Sequence, residues 1–132
     1  MAAQPLPNSL APWLSVRDSR QALEFYKSAF GAHEVYRLDL EDSVIARLSI
    51  AGAEFWLGDE SPEHFNFSPA SLGGCSVRLI LTVADPDAVF AQARAAGATE
   101  VYPVADQYGW RVGRVVDPFG HHWEIGRPLE GE

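Results

Sequence analysis

The same order of residues occurs twice in this chain of 132 residues, at an offset of 66–68 positions. Asp18 and Asp85 stand 67 residues apart, Gly31-Ala32 and Gly97-Ala98 stand 66 apart, Val35-Tyr36 and Val101-Tyr102 again 66, and Gly52 and Gly120 68. A chain built this way has to bury two copies of one small unit against each other. Neither copy is large enough to cover both faces of its own sheet.

Each copy reads as one strand, one helix and three strands. In the first, Trp13-Leu14-Ser15-Val16 alternates as a strand does, and Asp18 caps a helix with Gln21 at the capping-box position. Leu23, Tyr26 and Phe30 recur at helical spacing, Ala22 and Ala29 widen the stripe, and Gly31 ends it. Strand-like runs follow at His33–Leu40, Val44–Ile50 and Ala53–Leu57, the last two joined at Ala51-Gly52. In the second copy Val77–Val83 is a strand, Asp85 caps a helix with Pro86 at its first position, and Val89, Ala93 and Ala96 form the buried stripe up to Gly97. Strands are predicted around Thr99–Pro103, Val112–Val116 and His122–Ile125, with Asp117-Pro118-Phe119-Gly120 as a type I turn between the last two. The segment joining the copies, Gly58 to Gly74, has no clear period and reads as a linker or surface loop that covers a site.

Size and composition fit one domain. A chain of this length buries about two-thirds of its unfolded surface, enough to fold without metal or disulfide staples. Ten basic and eighteen acidic residues give a net charge of −8, which makes phosphate backbones and anionic lipid poor partners. The apolar runs are too short for a membrane span, and Met1–Leu10 lacks the basic and apolar regions of a secretory leader. The single cysteine, Cys75, suits a reducing cytoplasm and reads as a small buried residue opening a strand rather than as a nucleophile. Dinucleotide-binding, phosphate-loop and nucleophile-elbow motifs are missing, and no Ser/His/Asp triad pattern is visible.

The paired units, the helix A-L-E-F-Y-K-S-A-F-G-A at Ala22–Ala32 and the closing D-P-F-G-H-H-W at Asp117–Trp123 together resemble the vicinal oxygen chelate superfamily. The match is nearest the PhnB-like branch of the glyoxalase/bleomycin-resistance proteins and covers roughly Ala11 to Pro128. The resemblance implies an α+β fold of two tandem βαβββ modules forming an incurved eight-stranded mixed sheet, with ligand held on its concave faces in a homodimer. Residues 1–132 are then one domain, with module one at about 10–58, a linker at 59–74 and module two at 75–127.

Enzymes of the superfamily carry a divalent metal on four inward positions, which by the resemblance fall here at Ala11, Trp56, Arg78 and Glu124. Only Glu124 can coordinate a cation; Arg78 opposes one and Trp56 fills the space. His122 and Glu124, two apart on a strand, share a face and are the alternative metal pair, with His121 facing away. By alternation, Leu14 and Val16 meet the helix while the concave side displays Trp13, Ser15, Trp56, Arg78, His122 and Glu124; Trp123 belongs to the helix-facing core. Two indoles offer flat walls for a planar ligand, or else they plug the hollow while Arg78 and Glu124 form an internal ion pair. Asp106–Arg111 corresponds to a segment of the branch that lines the ligand mouth, with Trp110 where an acid is usual. Trp110 and Arg111 are accordingly expected as a gate, Arg111 holding a carboxylate or stacking on a ring.

These readings converge on a metal-free, cytoplasmic, homodimeric binding protein of the bleomycin-resistance type. It would capture a planar aromatic or cationic, antibiotic-like small molecule through Trp13, Trp56, Arg78, Trp110, Arg111, His122 and Glu124, with no nucleic acid or membrane partner and no cofactor. The alternative is a glyoxalase-type lyase or isomerase with a divalent metal on His122 and Glu124. In a third reading Glu124 alone moves a proton as a catalytic base, without metal.

Overall fold

An aspartate opens each long helix, as the repeat requires. Asp18 accepts a hydrogen bond from the Gln21 amide at 3.1 Å ahead of α1 (Ser19–Phe30), and Asp85 accepts one from Ala88 at 3.1 Å ahead of α3 (Pro86–Ala96). Gly31 closes α1 in the left-handed conformation, φ 66°. These come from the computed structural model of the protein, which describes residues 5–130. The segment Met1–Leu10, read above for a leader, lies partly outside them.

In module one the strands are β1 (Trp13–Val16), β2 (His33–Asp39), β3 (Val44–Ile50) and β4 (Ala53–Asp59); in module two they are β5 (Arg78–Thr82), β6 (Thr99–Gln107), β7 (Trp110–Val116) and β8 (His122–Pro128). The eight strands divide equally between two hydrogen-bonded mixed sheets, ordered β1-β4-β3-β2 and β5-β8-β7-β6. The first strand of each module pairs in parallel with the last, and the other pairings are antiparallel. This is the α+β fold of two βαβββ modules that the repeat predicts, with the eight strands hydrogen-bonded as two sheets of four rather than as the one continuous eight-stranded sheet expected.

Both outer strands carry a bulge at the same place. The ladder slips between Glu34 and Tyr36 in β2 and between Glu100 and Tyr102 in β6, with a second slip in β6 before Ala105.

Several boundaries differ from the sequence reading. β6 runs on to Gln107 rather than stopping at Pro103, because an edge strand tolerates a proline that a central one would not. β7 starts at Trp110 rather than Val112, because Tyr108 and Gly109, at φ 53° and 79°, make a two-residue turn that pairs Gln107 with Trp110. The linker is not without structure: it holds a single 3-10 turn at Pro62–His64 and the short helix α2 (Pro69–Leu72). Cys75, expected buried at the head of a strand, is exposed, because β5 begins only at Arg78.

The two modules share one core. α1 packs on α3, and Trp123 of module two lies 4.6 Å from Phe30 and 5.5 Å from Phe55 of module one, between ring centroids. Tyr26, fully buried on α1, donates its hydroxyl to Asp117 at 2.5 Å, and Trp123 Nε1 donates to the same carboxylate at 3.0 Å. The amides of Phe119 and His121 complete the shell at 2.9 and 3.0 Å. Asp117, expected only to begin a turn, therefore also ties the modules together, and four donors repay the cost of burying its charge. Burial, with Asp117 alongside, pushes the Tyr26 phenol well above its ordinary range. Among the described residues no helix is long and apolar enough to cross a membrane.

Candidate functional site

Strand alternation sends one set of side chains from each sheet into the shared core and the other set outward. Each module therefore presents one outward face of its own.

On module one the outward face carries Trp13 of β1 beside Trp56 of β4, in register. Their rings stack with centroids 6.2 Å apart and planes 14° from parallel. The guanidinium of Arg47 on β3 lies 5.2 Å over Trp56, and its Nε meets Glu54 at 2.5 Å. Tyr36 of β2 closes the row, edge-on to Trp56 at 5.8 Å. Trp56 is thus covered by Trp13 and Arg47, whereas Trp13 stays 42% exposed and keeps an open side. Ser15 does not stand free on this face as alternation suggests: it is buried, its hydroxyl donated to Asn66 of the linker.

Module two repeats the pattern with different chemistry. Glu124 of β8 takes the position of Trp56, Arg114 that of Arg47, and Tyr102 that of Tyr36. Glu124 is paired with Arg78 of β5, lies 3.5 Å from Arg114 Nη2, and accepts from the Tyr102 hydroxyl at 3.3 Å. The Arg114 guanidinium sits 5.4 Å over the Tyr102 ring. With Ile80 and Trp110 these residues line a concavity of about 400 Å³. One carboxylate against two guanidinium groups leaves the floor with a net positive charge.

The residues singled out from sequence are therefore not all together. Arg78, Trp110 and Glu124 share the module-two concavity, while Trp13 and Trp56 form their own stack on module one. His122 lies opposite Arg78 in the β5–β8 ladder, its Nδ1 buried without a protein partner, and Arg114 Nε is buried in the same way. Arg111 is a correction. It does not gate a mouth but points to the helix side, where its Nε and Nη2 grip Asp87 of α3 at 2.8 Å each and its Nη1 reaches Asp106 at 2.9 Å. The start of β7 at Trp110 turns Trp110 outward and hence Arg111 inward. Hydrogen bonds from Arg111 hold the Asp87 carboxyl below its ordinary value, and both acids raise Arg111. His121, expected to face away from the site, sends Nε2 to the Ser15 carbonyl at 2.9 Å.

Arg47 and Arg114 are not singled out by the sequence reading, and Tyr36 and Tyr102 enter it only as repeat positions, not as site residues. The signal was present: Arg47 and Arg114 stand 67 apart and Tyr36 and Tyr102 66 apart, at the offset of the repeat.

The donors do not fit a divalent metal. Of the four inward positions implied by the resemblance only Glu124 is a ligand, and its oxygens already face Arg78, Arg114 and Tyr102. Among the described residues no three His, Cys, Asp or Glu side chains converge.

A family model for a glyoxalase-like domain matches residues 13–126. An uncharacterized protein of Mycobacterium tuberculosis is 43% identical over 127 residues, covering 92% of this chain and 75% of its own length. The crystal structure of an Arabidopsis thaliana gene product is 31% identical, with a TM-score of 0.67, covering 92% of this chain and 98% of that one. TioX from a Micromonospora species is 27% identical with a TM-score of 0.71, covering 92% of this chain and 100% of its own. The chain therefore belongs to the glyoxalase-like domain family.

Proposed function

We propose that this protein binds a planar aromatic small molecule without turnover and without metal. The observation that carries the reading is the module-two concavity, where Trp110 and Tyr102 offer ring surfaces and the only carboxylate, Glu124, is neutralised by Arg78 and Arg114. Apolar walls around a few fixed polar groups are what ligand sites use. With Glu124 engaged, the free charge there is positive, which favours a ligand bearing a carboxylate or another acceptor over a cationic one. A general base would need a proton acceptor that is not already hydrogen-bonded and ion-paired, so catalysis by Glu124 is disfavoured.

The protein acts as a homodimer in this reading. Both outward faces leave large apolar groups in solvent, among them Tyr36, Leu38, Ile80 and Trp110. A two-fold pairing sets the Trp13–Trp56 stack of one protomer across from the Glu124 concavity of its partner, which would enclose a ligand that either face alone leaves open.

Titration of tryptophan fluorescence tests this, using planar aromatic compounds matched except for a carboxylate or an ammonium group, with chromatography to look for product. Saturable quenching favouring the carboxylates, insensitive to EDTA and without product, is expected. Stoichiometric divalent metal bound through Glu124 and His122, or accumulation of product, overturns the proposal.

A further inference from the structure

A second, chemically different cavity lies at the seam where the edge strands β1 and β5 face the linker. We infer that it is a binding site for an uncharged, mainly apolar small molecule, separate from the Glu124 concavity. Its volume is about 710 Å³, within the range of drug-sized ligand sites. The floor is Trp13, Leu14 and Leu79, and the linker supplies a wall of Phe65, Phe67 and Leu72. In a chain with 21% charged residues, none of the fourteen residues around this cavity is Asp, Glu, Lys or Arg.

Two of the polar contacts at its edge are made within the protein. The Ser15 hydroxyl is donated to Asn66, and His121 Nε2 meets the Ser15 carbonyl. With no Asp, Glu, Lys or Arg in the lining, a charged ligand would lose hydration there without an opposite charge to offset it. The wall is held in place rather than loose. Ser61 and Asn66 form a β-bridge, Ser68 caps α2, and Glu60 accepts from the Ser68 amide and the Ser71 hydroxyl at 2.9 Å each. Phe65, 87% exposed, and Leu72, 63% exposed, present apolar surface on an anchored frame, which is surface that a neutral ligand can cover at little ordering cost.

The probe is N-phenylnaphthylamine, a neutral aromatic amine that fluoresces on leaving water, compared with its sulfonated relative anilinonaphthalene sulfonate. Cys75, the only cysteine, lies in the lining and reports occupancy through its alkylation by N-ethylmaleimide. The neutral probe should saturate at one per chain, bind at least about tenfold tighter than the sulfonate, and slow alkylation of Cys75. Leu72→Asp should weaken it about tenfold or more with an unchanged far-ultraviolet circular dichroism spectrum, Leu72→Met should restore it, and Trp110→Ala should leave it unchanged. Equal affinity for the sulfonate overturns the inference. So does loss of binding in Trp110→Ala but not Leu72→Asp, or Cys75 protection that follows protein concentration instead of probe, which would mean that a second copy covers the seam.

Discussion

Removing one oxygen from the buried core tests whether Asp117 joins the two modules. In Tyr26→Phe the ring keeps its contacts with Phe55, Phe119 and Trp123, so no cavity opens. What disappears is a 2.5 Å hydrogen bond to a carboxylate that is only 4% exposed. Hydrogen bonds to charged acceptors contribute about 1.5–3 kcal/mol. Asp117 retains Trp123 Nε1 and the two turn amides, so the loss should fall in the lower half, about 2 kcal/mol. At an unfolding entropy of about 2.1 cal/mol/K per residue, that loss lowers the melting temperature of a chain this long by roughly 7 °C. Differential scanning calorimetry and urea denaturation measure it, with Tyr36→Phe on the exposed face as the control expected within about 0.5 kcal/mol of wild type. Asp117→Ala should cost about 3 kcal/mol or more, because it leaves the Tyr26 hydroxyl and the Trp123 indole N–H buried without an acceptor. A melting temperature for Tyr26→Phe within about 2 °C of wild type, at an unchanged denaturant slope, would refute the argument.

Gly58→Ala should separate the stacked tryptophans. A methyl group there would overlap Trp13 Cζ2, with Cη2 at 3.1 Å and Cε2 at 3.3 Å, so the ring must leave Trp56 at a cost of about 0.5–1.5 kcal/mol; altered near-ultraviolet circular dichroism checks it, and an unchanged spectrum counts against it. Arg111→Ala should leave ligand affinity within about twofold of wild type because Arg111 faces α3, whereas Trp110→Ala should weaken it by about tenfold, both read by fluorescence titration. Stability should fall as pH rises past the ordinary tyrosine value of 10.0, since the unfolded chain then sheds the Tyr26 proton while the folded chain keeps it. Urea midpoints across the alkaline range measure this decline, and the part due to Tyr26 should vanish in Tyr26→Phe.

The repeat made the fold legible, because capping aspartates, closing glycines and alternating strands all depend on local chemistry. Asp18, Asp85, Gly31 and the core position of Trp123 were readable for that reason. The site was less so. Whether Arg111 faces the hollow or the helix depends on where β7 begins, and that was decided by Tyr108 adopting a positive φ, which its residue type does not announce. Alternation gives Ser15 its side, but no pattern in the sequence indicates that Asn66, 51 residues away, covers it. Carrying the offset that already matches Tyr36 with Tyr102 into β3 and β7 finds Arg47 and Arg114, since each arginine faces its tyrosine across one rung of the ladder.

The matching bulges at Val35 and Val101 bear on how the hollows came to be curved. In each outer strand the unpaired residue lies between two rungs that are already in phase, Glu34 with Leu48 and Tyr36 with Arg47 in one, Glu100 with Val115 and Tyr102 with Arg114 in the other. Deleting that valine would keep every neighbouring side chain on its own side and remove only the local bend. Sheet curvature is thus separable here from surface chemistry, which is rare among one-residue deletions, since most of them invert a strand. A kink at the same point in both halves carries the repeat into the backbone itself, beyond the side chains in which it was first visible.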